Sequence, residues 1–187
     1  MTNAFLIGQK TILRPIAPTD IPLLITWSNN PKTREYLGRR FPLTELAEKT
    51  WIEKVSILSK NPSDIVLIVE EKANQQAIGI MGLHNINWVD RNAKTGTIIG
   101  VEYQGKGIAT DAKMALLEYA FESLGMHKII SHAYSGNIKS IKYSKRCGYE
   151  VEAVHKEEIF HAGKWEDKIT LACFYEGWKK AKEKLEK

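Results

Sequence analysis

The stretch Val101-Glu102-Tyr103-Gln104-Gly105-Lys106-Gly107-Ile108-Ala109-Thr110-Asp111 decides how the rest of the chain is read. A β-branched run, Thr95 to Val101, leads into it and marks the end of a strand. A helix follows it, with Ala112, Leu116, Tyr119, Ala120 and Leu124 on one apolar face and Gly125 as its C′ residue. Between strand and helix lies a turn of small residues, which lets a ligand approach the backbone closely. Unpaired amides at the helix start, helped by the helix dipole, suit phosphate oxygens. Lys106 either adds charge there or points to water. A lone Gly-x-Gly is also met as a plain tight turn. No Gly-Lys-Ser/Thr follows a four-residue spacer, so this is not a Walker loop. A dinucleotide fingerprint fails too, because the third glycine is missing and the preceding strands do not alternate with helices.

Upstream, Lys10 to Pro15 reads as an opening strand, and Thr19-Asp20 starts a helix that Asn29-Asn30-Pro31 stops. Thr44 caps a second helix running toward Leu58. Strands follow at Asp64 to Glu71, Ala77 to Asn85 and Lys94 to Val101. Downstream of the glycine loop and its helix come a strand, Lys128 to Tyr134, and a shorter helix from Asn137 to Gly148. Tyr149 to Phe160 and Lys164 to Cys173 form a terminal hairpin pair, and a tail helix ends the chain. Runs of strands followed by alternation predict a mixed sheet with helices on both sides.

Charge and composition narrow the function. Lys plus Arg number 27 against 22 Asp plus Glu, a formal +5. Residues 179–187, KKAKEKLEK, hold five Lys and two Glu and so carry +3 of it. Most of the basic balance is a tail property, which removes the main support for nucleic-acid binding. No apolar run is long enough to span a bilayer, and no secretory leader is evident. Cys147 and Cys173 lack metal-ligand spacing, so no metal is expected, and they fit buried thiols of a cytoplasmic protein.

A second segment bears on the first. Ser135-Gly136-Asn137 precedes Ser140, Ser144, Cys147, Gly148 and Tyr149. Asn137, Ser140 and Ser144 fall at i, i+3 and i+7, a polar stripe at the head of a helix. By themselves these residues are equally a solvated face with Asn137 as N-cap.

Gln104-Gly105-Lys106-Gly107-Ile108-Ala109 resembles the Q/R-x-x-G-x-G/A acetyl-CoA loop of the GCN5-related N-acetyltransferases (GNAT), and Asn137 to Tyr149 resembles that family's N-x-x-A/S…G-F/Y segment. Leu13-Arg14-Pro15, Trp27-Ser28-Asn29-Asn30-Pro31, Trp51-Ile52 and Gly163-Lys164-Trp165-Glu166-Asp167 are similar to the RimJ/RimL-like branch, which includes ribosomal-protein and small-amine acetyltransferases. The resemblance covers residues 8–175 as one domain and leaves 176–187 as a basic helical tail. It implies an α/β (α+β) fold with a mixed, mostly antiparallel sheet of about seven strands, splayed between the fourth and fifth. It implies acetyl-CoA as cosubstrate, its pantetheine arm in the gap between the strands Lys94 to Val101 and Lys128 to Tyr134. Ile99, Gly100 and Val101 would pair with the arm by backbone, an amide near Val101 polarising the thioester carbonyl. Gln104, Gly105, Lys106, Gly107, Ile108, Ala109 and Thr110 would wrap the pyrophosphate. Asn137 would bond the pantetheine, with Ser140 and Lys145 reaching the nucleotide half.

Direct attack of a neutral amine needs a base, and an acid can protonate the departing thiolate. The family often carries a tyrosine seven residues after the Asn. Here that position is Ser144, a poorer donor than a phenol of pKa about 10. Tyr143, one residue earlier, should face elsewhere, about 100° round the helix. Base candidates are Glu70, His84 and His132. Glu102 reads as solvated, and His155 and His161 as surface hairpin residues. Weak acid–base equipment favours an acceptor with pKa about 7.7–8, a protein or peptide N-terminal α-amine, over a lysine-type amine near 10.4. Lys94, where the family often has an acid, points the same way if it faces inward. Acetylation of an amino sugar, aminoglycoside or polyamine is the alternative, and a non-catalytic acyl-CoA-binding module is another. Trp27, Trp51 and Trp88 either line the acceptor pocket or simply pack. Expected partners are acetyl-CoA and an amine, without nucleic acid or membrane, in a monomer or homodimer.

Overall fold

The computed structural model describes residues 3–38, 41–56 and 59–186. The chain opens with β1 (Leu6–Ile7) and β2 (Thr11–Pro15), followed by α1 (Ile21–Asn29), α2 (Pro31–Arg34) and α3 (Glu45–Ser56). Next come β3 (Ile65–Glu71), β4 (Gln76–Asn87), β5 (Asn92–Ile99), α4 (Ile108–Glu118), β6 (Lys128–Tyr134) and α5 (Ile138–Arg146). It closes with β7 (Glu150–His161), β8 (Lys164–Phe174) and α6 (Tyr175–Leu185). The expected cap of α3 is present, Thr44 Oγ1 accepting from the Ala47 amide at 3.2 Å. The stretch of α3 expected to reach Leu58 passes outside the described residues.

Among the described residues, eight strands form one sheet in the order β1-β2-β3-β4-β5-β6-β8-β7. The extra strand is β1, a two-residue pairing of Leu6 and Ile7 with Leu13 and Ile12, too short to leave a period-2 pattern. Every pairing is antiparallel except β5 with β6. The strand ending at Val101 is shorter than expected: β5 stops at Ile99, and Val101–Tyr103 coils into a 3₁₀ turn.

Alternation along the strands sends side chains to two cores. On one face Met81, Leu83, Ala93 and Ile129 pack under Ala112, Leu116 and Ala120 of the α4 segment. On the other, Ile68, Ile80 and Ile98 meet Leu24 and Trp27 of α1 and Ile52 of α3. A π turn, Tyr119–Ser123, continues α4 and keeps Ala120 and Phe121 buried. The terminal helix joins the first core through Trp178, 3% exposed, and Lys182 Nζ donates to Glu118 at 2.9 Å. Asp111 anchors the other terminus to α4, its carboxylate accepting from the Gln9 and Lys10 amides at 2.8 and 3.0 Å and from Thr11 Oγ1 at 2.6 Å. That tether brings Lys10 beside Gly107, at the start of α4.

Candidate active site

The sheet opens in its middle. β5 and β6 pair at three positions only, Asn92 with Lys128, Ala93 with Ile129 and Lys94 with Ile130. Beyond them Thr95–Ile99 and Ser131–Tyr134 diverge and have no pairing with each other. The Gly100 amide donates to Ile78 O on β4 at 2.9 Å. Strand backbone alternates direction, so Ile99 faces the gap while the Gly100 amide is turned to β4. Of the three residues expected along the pantetheine arm, Gly100 thus has its amide already taken by β4, and Val101 lies in the 3₁₀ turn beyond the strand. The Ile99 carbonyl is further held by Gln104 Nε2 at 3.0 Å, so the Gln104 side chain braces the strand end.

Past this point the chain turns through Gly105 at φ +82° and Gly107 at φ +78°. Both values lie in the left-handed region, where a side chain is strained. Gly107 is the N-cap of α4. The amides of Ile108, Ala109 and Thr110 therefore begin a helix and have no acceptor within it. The Ile108 and Thr110 side chains are buried, which leaves these two residues only backbone to offer. Lys106 leans over Tyr103, its Nζ 5.5 Å from the ring centroid. With Lys106 and Lys10 at its rim, the loop fits a diphosphate, and the open strand edge fits an extended arm. Across the gap Asn137 caps α5, its Oδ1 accepting from the Ser140 amide at 3.1 Å, so its carboxamide NH₂ remains to donate. Ser140 is half-buried and Lys145 exposed on the same helix.

The two neighbouring hydroxyls of α5, Tyr143 and Ser144, lie in different surroundings. Ser144 is 2% exposed, within the packed side of α5. Tyr143 instead reaches β5, its Oη 3.5 Å from Thr97 Oγ1 in the diverged half of the strand. Asn137 has φ −83° and ψ 64°, outside the helix, so a helical face cannot be phased by counting from it. A long side chain also sweeps back toward the helix N-terminus. Burial raises the Tyr143 phenol well above its ordinary pKa, with the Cys147 thiol adding to this and the Thr97 hydrogen bond opposing it.

The three base candidates stand apart. Glu70 accepts from Arg14 Nε at 2.6 Å. Arg14 also binds Asp20 through both terminal nitrogens. That triad ties the carboxylate into the β2–β3 edge, away from the gap. His84 lies against Gly82 and Gly96, its Nδ1 2.9 Å from Asp64 Oδ1. Burial raises the Asp64 pKa, but hydrogen bonds from Ser63 and His84 outweigh it and leave a net lowering. His132 stands on the same sheet face, its Nδ1 3.2 Å from Thr170 Oγ1, which is in turn 3.2 Å from His155 Nε2. Burial lowers the His132 pKa, and the charges of Lys168 and Lys94 lower it further, favouring a neutral imidazole. Of the tryptophans, Trp27 is buried in the second core with its Nε1 3.2 Å from where a Cβ on Gly100 would stand, and the Glu102 carboxylate shares that space. Trp88 is occupied elsewhere, donating to Pro62 O at 2.9 Å.

One cluster was absent from the sequence reading. Tyr36, Tyr134 and His161 meet ring to ring, with centroids 5.1 to 5.7 Å apart. Glu166, 7% exposed, lies behind them, its Oε1 2.9 Å from His161 Nδ1 and its Oε2 accepting from the Gly136 amide at 3.0 Å. A Cβ on Gly136 would come within 2.9 Å of that oxygen, so a side chain there would push the Glu166 carboxylate aside. These hydrogen bonds, His161 first, hold the Glu166 carboxyl below its usual range. His161 is thus a half-buried partner of Glu166 and not a free surface residue. The cluster borders a cavity of about 630 Å³ shared with Glu35 and Gly38.

Residues 10–150 match the family model described as Acetyltransferase (GNAT) domain. The chain belongs to the GNAT acetyltransferase family. The expected fold, the N-acetyltransferase class and acetyl-CoA as cosubstrate stand with it. This GNAT domain is 36% identical over 99 residues to the spermidine N(1)-acetyltransferase of Vibrio cholerae, covering 53% of the chain and 57% of that enzyme. It is 28% identical over 165 residues to the spermidine N(1)-acetyltransferase of Escherichia coli K12, covering 87% and 84%. It is 33% identical over 100 residues to the putative ribosomal N-acetyltransferase YdaF of Bacillus subtilis, covering 54% and 55%. The chain thus spans a little over half the length of the first and third of these relatives. In fold, it superposes on spermidine N-acetyltransferase from Vibrio cholerae, in complex with CoA and spermine, with a TM-score of 0.83 at 24% identity, over 91% of this chain and 99% of that one. The likenesses favour the spermidine enzymes over a specifically RimJ/RimL-like branch.

Proposed function

We propose that this GNAT domain acetylates a small amine cation of the polyamine type, using acetyl-CoA, in the cytoplasm. The carrying observation is the aromatic cluster Tyr36–Tyr134–His161 with the ionised Glu166 behind it, bordering an open cavity. Aromatic faces and a partly desolvated carboxylate recognise an ammonium group. The spermidine acetyltransferases among the relatives support the same substrate class. The free, buried thiols of Cys147 and Cys173 fit a reducing compartment.

In this reading one amine of the acceptor enters from the α1 side of the sheet toward the gap. Neutral His132 takes its proton through water, with His84 as the other candidate, and the amine attacks the thioester carbonyl. Val101 N–H holds the developing oxyanion. Tyr143, facing Thr97, supplies the hydroxyl that meets the departing thiolate, in place of Ser144.

A protein N-terminal α-amine is the second reading, favoured by Lys94 and Lys168, whose charges reach His132 and repel a polycation. Thiol release with spermidine, spermine and an alanine-initiated peptide separates the two. The polyamine reading expects kcat/KM at least tenfold higher for spermidine, falling on Glu166→Gln. Preference for the peptide overturns it, and tight CoA binding without release from any amine returns the protein to a binding module.

A further inference from the structure

Lys113 is the most unusual side chain in the molecule. It lies on the core face of α4, 2% exposed, and no carboxylate pairs with it among the described residues. Its Nζ stands 5.6 Å from the Tyr143 ring centroid and 5.9 Å from that of Tyr149. Both tyrosines point their hydroxyls at the diverged half of β5, Tyr143 to Thr97 at 3.5 Å and Tyr149 to Thr95 at 3.2 Å. The other titratable groups packed around the ammonium are the buried thiols of Cys147, after α5, and Cys173, on β8. Burial pushes these thiols up to about 11 and about 12, so they are neutral near pH 7 and leave the ammonium uncompensated. The result is a lone positive charge held by two aromatic rings directly beneath the gap.

We propose that the Lys113 ammonium stabilises the CoA thiolate as it leaves, acting across the Tyr143 ring that it holds in place. The proposal rests on the acetyltransferase reading of the gap. In the transfer, the amine nitrogen bonds to the acetyl carbon and the C–S bond breaks with its electron pair on sulfur. The nitrogen's proton goes to solvent through the base, and the sulfur takes the phenolic proton of Tyr143, which water restores. Negative charge thus passes from sulfur to the phenol oxygen, and a fixed cation in a water-poor site lowers the cost at both positions. A buried, unpaired ammonium is expensive to keep, so a fold that retains it where methionine or leucine would pack is using the charge. Lys113 is a positioning residue, since it touches neither acetyl-CoA nor the acceptor.

The first arm of the test uses the full chain and CoA itself, so it does not depend on knowing the acceptor. The thiolate absorbs in the ultraviolet, and titrating bound CoA gives the pKa of its thiol on the protein. Lys113 loses its own proton from about pH 8 upward, so the decisive comparison is Lys113→Arg, whose guanidinium stays charged through the whole titration. The proposal expects the thiol pKa to lie about one unit lower, a tenfold gain of thiolate at fixed pH, in Lys113→Arg than in Lys113→Met and Lys113→Gln, with the wild type between them. Equal thiol pKa values in Lys113→Arg and both neutral variants overturn the proposal. Tyr143→Phe separates the two levels. Unchanged turnover in Tyr143→Phe with a shifted thiol in Lys113→Met removes Tyr143 as the proton donor and keeps the charge. Failure of the wild type to bind CoA at all sinks the reading beneath both.

Discussion

Arg14 binds three carboxylate oxygens at once: Asp20 Oδ1 at 2.7 Å, Asp20 Oδ2 at 2.8 Å and Glu70 Oε1 at 2.6 Å. Asp20 is 3% exposed, so the triad is largely desolvated and its parts depend on one another. Glu70→Gln should keep kcat within about twofold while lowering stability by about 1–2 kcal/mol, read by denaturant unfolding. A tenfold loss of kcat would return Glu70 to the chemistry. Lys113 makes the opposite prediction. Burial lowers its pKa from 10.5 to about 8. The unfolded chain therefore binds more protons between about pH 8 and 10.5, and this group's contribution to stability rises with pH across that window. Below pH 8 the penalty is fully present, about 3 kcal/mol from the size of the shift. Lys113→Met should thus be more stable at pH 7, with its advantage shrinking from pH 8 upward. Thermal melts from pH 6 to 10 measure it.

At the scale of elements, α5 is set by its cap. Asn137→Ala removes the bond to the Ser140 amide and should cost about 1 kcal/mol of stability. It should also raise the acetyl-CoA KM several-fold, since the carboxamide NH₂ is lost from the gap. Unchanged KM with lowered stability would reduce Asn137 to a cap alone. The same helix shows where sequence reading stops. The glycine loop was legible because its demands are local: a strand end, two left-handed positions and a helix start. Asn137 as N-cap, the strand Lys128–Tyr134 and the tail helix were legible for the same reason. Tyr143 was not, because its reach depends on how α5 rolls against β5 and on the non-helical backbone of Asn137. The Tyr36–Tyr134–His161–Glu166 cluster was harder still. Its members come from four separate segments, so no local pattern in the sequence joins them. Glu70 and His132 looked alike as candidates because sequence does not show partners, and partners separate them: an arginine for one, a threonine and two nearby lysine charges for the other.

At the scale of the whole molecule, both chain ends are fastened to α4, the N-terminal turn by Asp111 and the C-terminal helix by Lys182 and by the packing of Trp178. Trp178→Ala should cost about 3–5 kcal/mol through the cavity it leaves, and a chain ending at residue 174 should lose its cooperative melt. A truncated chain that melts like the full one would show the tail to be an appendage. The single parallel pairing has a further outcome. Three residue pairs stitch a leaf of five strands to a leaf of three, so the diverged edges of both leaves present backbone to water. Deuterium should enter the gap-facing amides of Thr95–Ile99 and Ser131–Tyr134 far faster than amides paired inside either leaf. A ligand that lies along those edges as a ninth strand would slow that exchange, making the sheet one cooperative unit only when its cosubstrate is in place.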